Sequence, residues 1–320
     1  MDNLILNPLI LDPKVQKYIN QHLSSDLTKL ILKGSPFKNI DTLEIIEQIE
    51  AKKKCQTKLP TWFSSENIYY PNKLNIEQTS SEETAHLKSS FIKGDSIIDI
   101  TGGFGVDSYF FSKHFKKVTH CEINAELSQK AKHNYKVFNK NNITCVHGDG
   151  IEHILKHSQK YDWIYTDPSR RHQQKGKVFL LKDCLPNIPK HLNQLFDKTK
   201  QILIKNSPLI DLKSCINELK FVKTIYVVAL KNDVKEVLIQ LEKNYTGPIH
   251  IQTYNIDRKL QTFDFIFEQN YSYTITEPQN YLYEPNSAIL KSGGFTAVSE
   301  KFNLNKLHQN SHLYTSDFFI

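Results

Sequence analysis

The chain has 320 residues, 39% of them apolar and 23% charged, with a formal net charge of +7. These are values of a folded globular protein, and they exclude a disordered, collagenous or coiled-coil chain. At ~100–200 residues per domain the length predicts two or three domains, and no apolar run approaches the ~20 residues that cross a bilayer.

In chain order, residues 1–58 read as helical. Asp12 or Pro13 opens a helix through Gln21, Ser25-Asp26 caps one running to Leu32, and Gly34-Ser35-Pro36 breaks it. Asp41 caps a helix over 42–54 with Leu43, Ile46 and Ile49 on one stripe, and 59–76 read as loop. From residue 95 short apolar strands alternate with amphipathic helices. Strands are expected at 96–100, 117–122, 143–147, 162–166, 201–205 and 224–230, and helices at 106–115, 125–139, 183–199 and 233–244. This alternation predicts right-handed βαβ units and a mainly parallel sheet. Strands at 249–255 and 262–267 are expected to close that sheet in antiparallel fashion. Residues 271–320, rich in Tyr and Asn, read as short strands and turns. The expected division is therefore 1–88, a helical region and linker; 89–270, the α/β core; and 271–320, a small C-terminal module.

The five cysteines, Cys55, Cys121, Cys145, Cys184 and Cys215, form no C-x-x-C pair. Met1-Asp2-Asn3 has no basic stretch leading an apolar one. Dispersed thiols and no secretory signal predict a cytoplasmic protein. No His/carboxylate spacing suggests a metal site, so none is expected.

Residues 97–107 read Ile-Ile-Asp-Ile-Thr-Gly-Gly-Phe-Gly-Val-Asp, an apolar strand entering a glycine-rich turn that opens a helix. Glycines let a backbone pass close to a ligand, and a helix start offers free N–H groups. Glu122 ends the next strand, 23 residues after Asp99, where a Rossmann-type site holds ribose hydroxyls. Asp149 follows the third strand in Gly148-Asp149-Gly150, where a carboxylate accepts from an adenine amino group. Three carboxylates thus end three successive strands, the edge at which open α/β sheets bind ligands. A nicotinamide cofactor and S-adenosylmethionine both fit so far. Ser108 stands where a dinucleotide fingerprint has Gly or Ala, and Asp99 is placed to meet a methionine ammonium group, which favours the methyl donor. The expected cofactor residues are Asp99, Thr101, Gly102, Gly103, Gly105, Asp107, Glu122, Asp149 and Gly150.

Together with Tyr-Thr-Asp-Pro-Ser-Arg-Arg at 165–171, these motifs resemble class I S-adenosylmethionine-dependent methyltransferases. The chain is more narrowly similar to the bacterial family that joins this core to ferredoxin-like and THUMP-like C-terminal modules. Segments 71–85, 204–211 (Ile-Lys-Asn-Ser-Pro-Leu-Ile-Asp) and 283–291 carry that likeness. It implies a Rossmann-like core with a mostly parallel seven-stranded sheet, a helical N-terminal region and a small α+β C-terminal module. The chain stops at Ser316-Asp317-Phe318-Phe319-Ile320 where family members continue, so the THUMP-like module is expected to be absent or incomplete. Thr101 replaces the first glycine of many class I enzymes.

In a class I fold the end of the fourth strand faces the transferred methyl group. The candidate catalytic set is therefore Asp167, Pro168, Arg170 and Arg171: Asp167 to accept from or orient a nucleophilic amine or amide, Pro168 to stiffen the turn, and the arginines to hold phosphate or stack on a base. His172 extends that loop, whereas His120 and His147 read as packing or strand-end residues. No cysteine lies in the loop or in 204–211, which argues against cysteine-dependent methylation of a pyrimidine carbon.

Charge adds an expected partner. Residues 1–88 are neutral, with 11 Lys against 11 Asp+Glu; residues 89–270 carry 27 Lys+Arg against 19 Asp+Glu, and 271–320 carry 3 against 4. The excess of 8 on the middle segment suits a polyanion, and two of the chain's three arginines stand side by side at 170 and 171. The sequence thus predicts a methyltransferase acting on RNA (tRNA or rRNA), with no membrane or metal partner. A non-catalytic RNA-binding protein on the same fold, or a methyltransferase for small molecules or proteins, stands as the alternative.

Overall fold

A computed structural model describes residues 6–170 and 180–320. The chain forms two compact units, Met1–Thr166 and Asp167–Ile320.

The first unit begins with helices whose ends follow from capping chemistry. Asp12, Asp26 and Asp41 accept from backbone N–H groups at the starts of α1 (Pro13–Gln21), α2 (Leu27–Lys33) and α3 (Thr42–Lys58). Gly34, at φ 77°, ends α2. The expected stripe on α3 needs correction. Leu43 is 61% exposed, and the buried face runs through Ile45, Ile46, Ile49 and Cys55, with Gln48 and Lys52 beside them. The segment expected as loop holds two short helices, α4 (Pro60–Ser64) and α5 (Lys73–Gln78), and α6 (Glu82–Ser90) leads into the sheet. Between α4 and α5 the chain runs buried through Ile68, Tyr69 and Tyr70. Gln48 pairs with both backbone groups of Tyr70 (2.7 and 3.0 Å) and Asn134 with both of Tyr69 (2.9 and 3.0 Å), so the peptide groups of both tyrosines are satisfied by side chains.

The strands of this unit are β1 (Gly94–Asp99), β2 (Phe115–Glu122), β3 (Ile143–His147) and β4 (Trp163–Thr166). They are all parallel, in the order β4-β1-β2-β3. Three helices connect them: α7 (Val106–Phe111), α8 (Ala125–Val137) and α9 (Gly150–Lys156). The helical region shares a core with this layer, since Cys55, Trp62 and Tyr70 pack with Phe104, Val106, Tyr109 and Tyr135.

In the second unit, β5 (Ser169–Arg170) pairs with β6 (Cys184–Leu185), and α10 (Ile188–Phe196) replaces the longer helix expected over 183–199. Then come β7 (Gln201–Asn206), α11 (Leu212–Glu218), β8 (Val222–Leu230) and β9 (Asp233–Glu242). β9 occupies the segment expected as a helix over 233–244. Val234, Val237, Leu238 and Leu241 have the i, i+3, i+4, i+7 spacing of a helical stripe, which misleads a periodicity reading. Lys231 and Asn232 both take positive φ (52° and 60°), the geometry of a two-residue hairpin turn, and return the chain antiparallel to β8. β9 is also antiparallel to β7. The further strands are β10 (His250–Ile256) and β11 (Leu260–Ile266). β10 runs parallel to β8, contrary to expectation, and β11 is antiparallel to β10. The C-terminal segment holds β12 (Tyr281–Tyr283), α12 (Ser287–Ser292), α13 (Phe295–Phe302), β13 (Asn305–Lys306) and β14 (Tyr314–Ser316), its strands forming a separate antiparallel sheet in the order β12-β14-β13. No described helix is long and apolar enough to cross a membrane.

Candidate active site

Because the four strands of the first unit are parallel, their carboxyl ends lie along one edge, and the sequence-predicted carboxylates gather there. Asp99 ends β1 and is 1% exposed. One of its oxygens accepts from the Thr101 N–H (3.0 Å) and the other from the Ser108 hydroxyl (2.8 Å). Ser108, the residue that departs from the dinucleotide pattern, thus ties the first turn of α7 back to β1. Glu122 ends β2 and braces the turn from its other side, accepting from Gly103 N–H (2.8 Å) and Asn124 N–H (2.7 Å). Each carboxylate oxygen has a second lone pair, so a ribose hydroxyl can still donate to Glu122. Asp149 caps α9 through the Glu152 N–H.

The glycines divide into two kinds. At Gly102 an added Cβ would lie 2.2 Å from His120 Nε2, at Gly105 2.0 Å from the Tyr135 hydroxyl, and at Gly150 2.4 Å from the Ile100 carbonyl. At these three positions the protein itself closes in. Gly103 (φ +56°) and Gly148 (φ +146°) are different, since a Cβ at Gly103 meets only the Thr101 carbonyl at 3.9 Å and one at Gly148 meets nothing within 4 Å. The open side of the turn is therefore at Gly103 and Gly148, flanked by Glu122 and Asp149. Phe104, 3% exposed, anchors the turn beneath. A cradle open at two glycines and edged by two carboxylates fits an adenosine-bearing ligand.

Asp107 faces a different set of groups. Its carboxylate accepts from Lys88 Nζ (2.9 Å), the Tyr165 hydroxyl (2.6 Å) and the Ser80 hydroxyl (3.1 Å). Lys88 is fully buried in α6. No local pattern signals this network, because its members are scattered along the chain from Ser80 to Tyr165.

His120 lies in β2 with neither ring nitrogen hydrogen-bonded, and burial pushes its pKa down to about 4 from 6.5. Its ring fills the space beneath Gly102, edge-on to Tyr135. His147 is instead exposed at the end of β3. A group held neutral in the fold favours unfolding once the unfolded chain takes up the proton. Stability from His120 is thus complete above pH ~6.5 and is lost as pH falls towards 4. Melting followed from pH 7.5 to 4 will show the parent losing roughly 3 kcal/mol more than His120→Leu. Parallel curves for the two proteins would exclude this role.

In the second unit, Asp167 forms an ion pair with Lys205 of β7, their side chains 34% and 12% exposed. Pro168 is buried. Arg170 is described through its backbone, opposite Cys184 in the β5–β6 pair. Arg171 and His172 lie outside the described residues. The sequence reading did not assign Lys205 a role, and the signal was its place in the 204–211 segment. The next residue, Asn206, ends β7 and is 1% exposed, and neither side-chain amide atom has a hydrogen-bond partner.

A family profile described as RNA cap guanine-N2 methyltransferase matches residues 94–245, and one described as a ferredoxin-like domain matches 281–320. A solved structure from Porphyromonas gingivalis W83, described as a candidate methyltransferase, superposes with a TM-score of 0.84 at 29% identity, covering 97% of this chain and 79% of its own. An rRNA methylase from Streptococcus thermophilus gives a TM-score of 0.37 at 16% identity, over 50% of this chain and 95% of its own. A tRNA m1G37 methyltransferase from M. jannaschii gives 0.36 at 13% identity, over 52% and 51%. No curated protein matches. With the parallel sheet, the glycine turn and the strand-end carboxylates, the chain is a class I S-adenosylmethionine-dependent methyltransferase. Within that class it is one whose core is followed by a ferredoxin-like module.

Proposed function

We propose that this enzyme methylates an exocyclic amine of a base in RNA, with tRNA or rRNA as the substrate class. The observation that carries the reading is the Asp167–Lys205 pair, which fixes a carboxylate directly after β4. Support for RNA comes from the excess positive charge of residues 89–270, the adjacent Arg170 and Arg171, and the description of the family matched over 94–245.

In this reading Gly103, Glu122 and Asp149 contact the cofactor, while Asp99, Thr101, Gly102, Gly105, Asp107 and Gly150 shape its cradle. Bound S-adenosylmethionine supplies a methyl group on a sulfonium, so that the amine nitrogen gains a C–N bond as the C–S bond breaks and S-adenosylhomocysteine leaves. Asp167 accepts a hydrogen bond from the amine, directing its lone pair, and takes the proton that nitrogen sheds after transfer. Lys205 holds that carboxylate in place, and Pro168 limits the turn to one geometry. Arg170 and Arg171 grip a phosphate or stack on a neighbouring base, tasks for a planar guanidinium. The division into 1–88, 89–270 and 271–320 and a cytoplasmic location belong to the same proposal.

The test is transfer of tritiated methyl from the donor to RNA prepared from cells lacking this enzyme. Label that ribonuclease releases supports the reading. Label that resists ribonuclease, or none in RNA, overturns it.

A further inference from the structure

We infer that Lys113, His114, Lys140 and His86 form a phosphate-binding patch that grips RNA at the sheet edge opposite the cofactor turn; this inference rests on the proposed RNA activity. The four side chains come from three segments of the first unit and gather about two adjoining rings. Lys113 Nζ lies 4.4 Å from the centre of the Phe110 ring and 5.1 Å from that of Tyr109, and Lys140 Nζ lies 4.9 Å from the same Tyr109 ring. His86 stands against Phe110 at 5.9 Å, and His114 follows Lys113 in the chain. Among the described residues none of these four side chains makes a hydrogen bond or an ion pair. Elsewhere in the unit lysines take carboxylates, as Lys54 does with Glu77, Lys130 with Glu126 and Lys156 with Glu152. Glu82, whose charge reaches Tyr109, is occupied with the N–H and hydroxyl of Thr61.

Gathering like charges works against the fold. Burial and the Lys113 ammonium push the Lys140 pKa down, and burial, His86 and Lys113 push that of His114 down. Attraction to the two rings offsets part of this. A phosphate offsets the rest, because its oxygens accept from both ammonium groups and from imidazole N–H groups. Tyr109 and Phe110 are 8% and 4% exposed, so no base stacks on them, and the patch holds backbone without reading sequence. Its place in the fold sets its role. Lys113 and His114 come just before β2 and Lys140 just before β3, at the amino edge of the parallel sheet. The eight residues of β2, at ~3.3 Å each, put roughly 25 Å between the patch and Glu122. A folded RNA spans that gap, so the patch captures substrate without touching the reacting base.

Binding and turnover of RNA from cells lacking the enzyme test this. In Lys113→Gln/Lys140→Gln the Kd for that RNA will rise about 10-fold, and the slope of log Kd against log salt will fall by about 1.5–2. KM will rise with Kd, while kcat and S-adenosylmethionine affinity keep their parent values. Lys54→Gln/Lys156→Gln removes two charges from the same unit outside the patch and will leave Kd close to that of the parent. Lys113→Glu, at an exposed position, reads the same loss of RNA affinity should the double variant melt early. RNA affinity unchanged in the patch variants, or lost equally in both double variants, overturns the inference, as does a fall in kcat at the parent KM. A parent enzyme that transfers no methyl to RNA overturns the functional reading itself, a failure read from turnover and separate from the binding curves.

Discussion

Gly105→Ala will reduce S-adenosylmethionine affinity by more than ~100-fold and lower the melting temperature by several degrees. Two independent effects converge at this position. Gly105 has φ +88°, a left-handed conformation that costs a residue bearing a Cβ about 1–2 kcal/mol. The new methyl would also lie 2.0 Å from the Tyr135 hydroxyl and 2.7 Å from its ring. Tyr135 cannot retreat, because it is 3% exposed, packed against His120, and donates its hydroxyl proton to the Gly105 carbonyl at 2.9 Å. The turn must move instead, and Gly103 N–H leaves Glu122 with it. Gly103→Ala is the control. It shares the left-handed cost, at φ +56°, but its Cβ meets no neighbour closer than 3.9 Å, so the melting temperature falls less than in Gly105→Ala, while the methyl intrudes on the open side and affinity falls. Calorimetric titration beside thermal melting separates the two variants. Equal affinity in the parent and Gly105→Ala would place the cofactor elsewhere.

Lys88→Met will destabilise the protein by about 3–5 kcal/mol, the cost of removing one member of a buried ion pair. Lys88 is fully buried and donates to Asp107 at 2.9 Å and to Ser80 at 3.0 Å. Asp107 is 11% exposed and keeps the hydroxyls of Tyr165 and Ser80, which offset only part of the lost charge. Replacing both charges, in Lys88→Met/Asp107→Leu, removes the carboxylate along with the ammonium and will recover most of the loss. Urea unfolding of the two single variants and the double variant measures the coupling. A double variant no more stable than Lys88→Met would mean that the pair is not the source of the effect.

Local chemistry explains what could be read before the fold was known. Asp12, Asp26 and Asp41 cap where expected, and strands β1 to β4 fall where apolar runs end in Asp99, Glu122, His147 and Thr166. What escaped depended on tertiary partners. The β9 segment has a helical stripe, yet it lies between two strands that take both its edges, and burial on both faces overrides its periodicity. Leu43 fits the α3 stripe by spacing and still faces solvent. In the candidate site, Asp99, Glu122 and the glycine turn were legible because one βαβ unit contains them. Lys88, Tyr135 and Lys205 were not, because each acquires its place only when distant segments meet. The glycines were found for one reason and serve largely another. Gly102, Gly105 and Gly150 make room for His120, Tyr135 and the Ile100 backbone, and only Gly103 and Gly148 are open.

Nucleoside analysis of RNA labelled by the parent enzyme tests the central claim most directly. Digestion of RNA that has received tritiated methyl from S-adenosylmethionine, followed by separation and mass analysis, identifies the atom that gained the group. The account predicts label in a nucleoside methylated on its exocyclic amine, with Asp167→Ala incorporating far less. Label on a ribose oxygen or a pyrimidine carbon, or RNA left unlabelled by an enzyme that binds the donor, would contradict it.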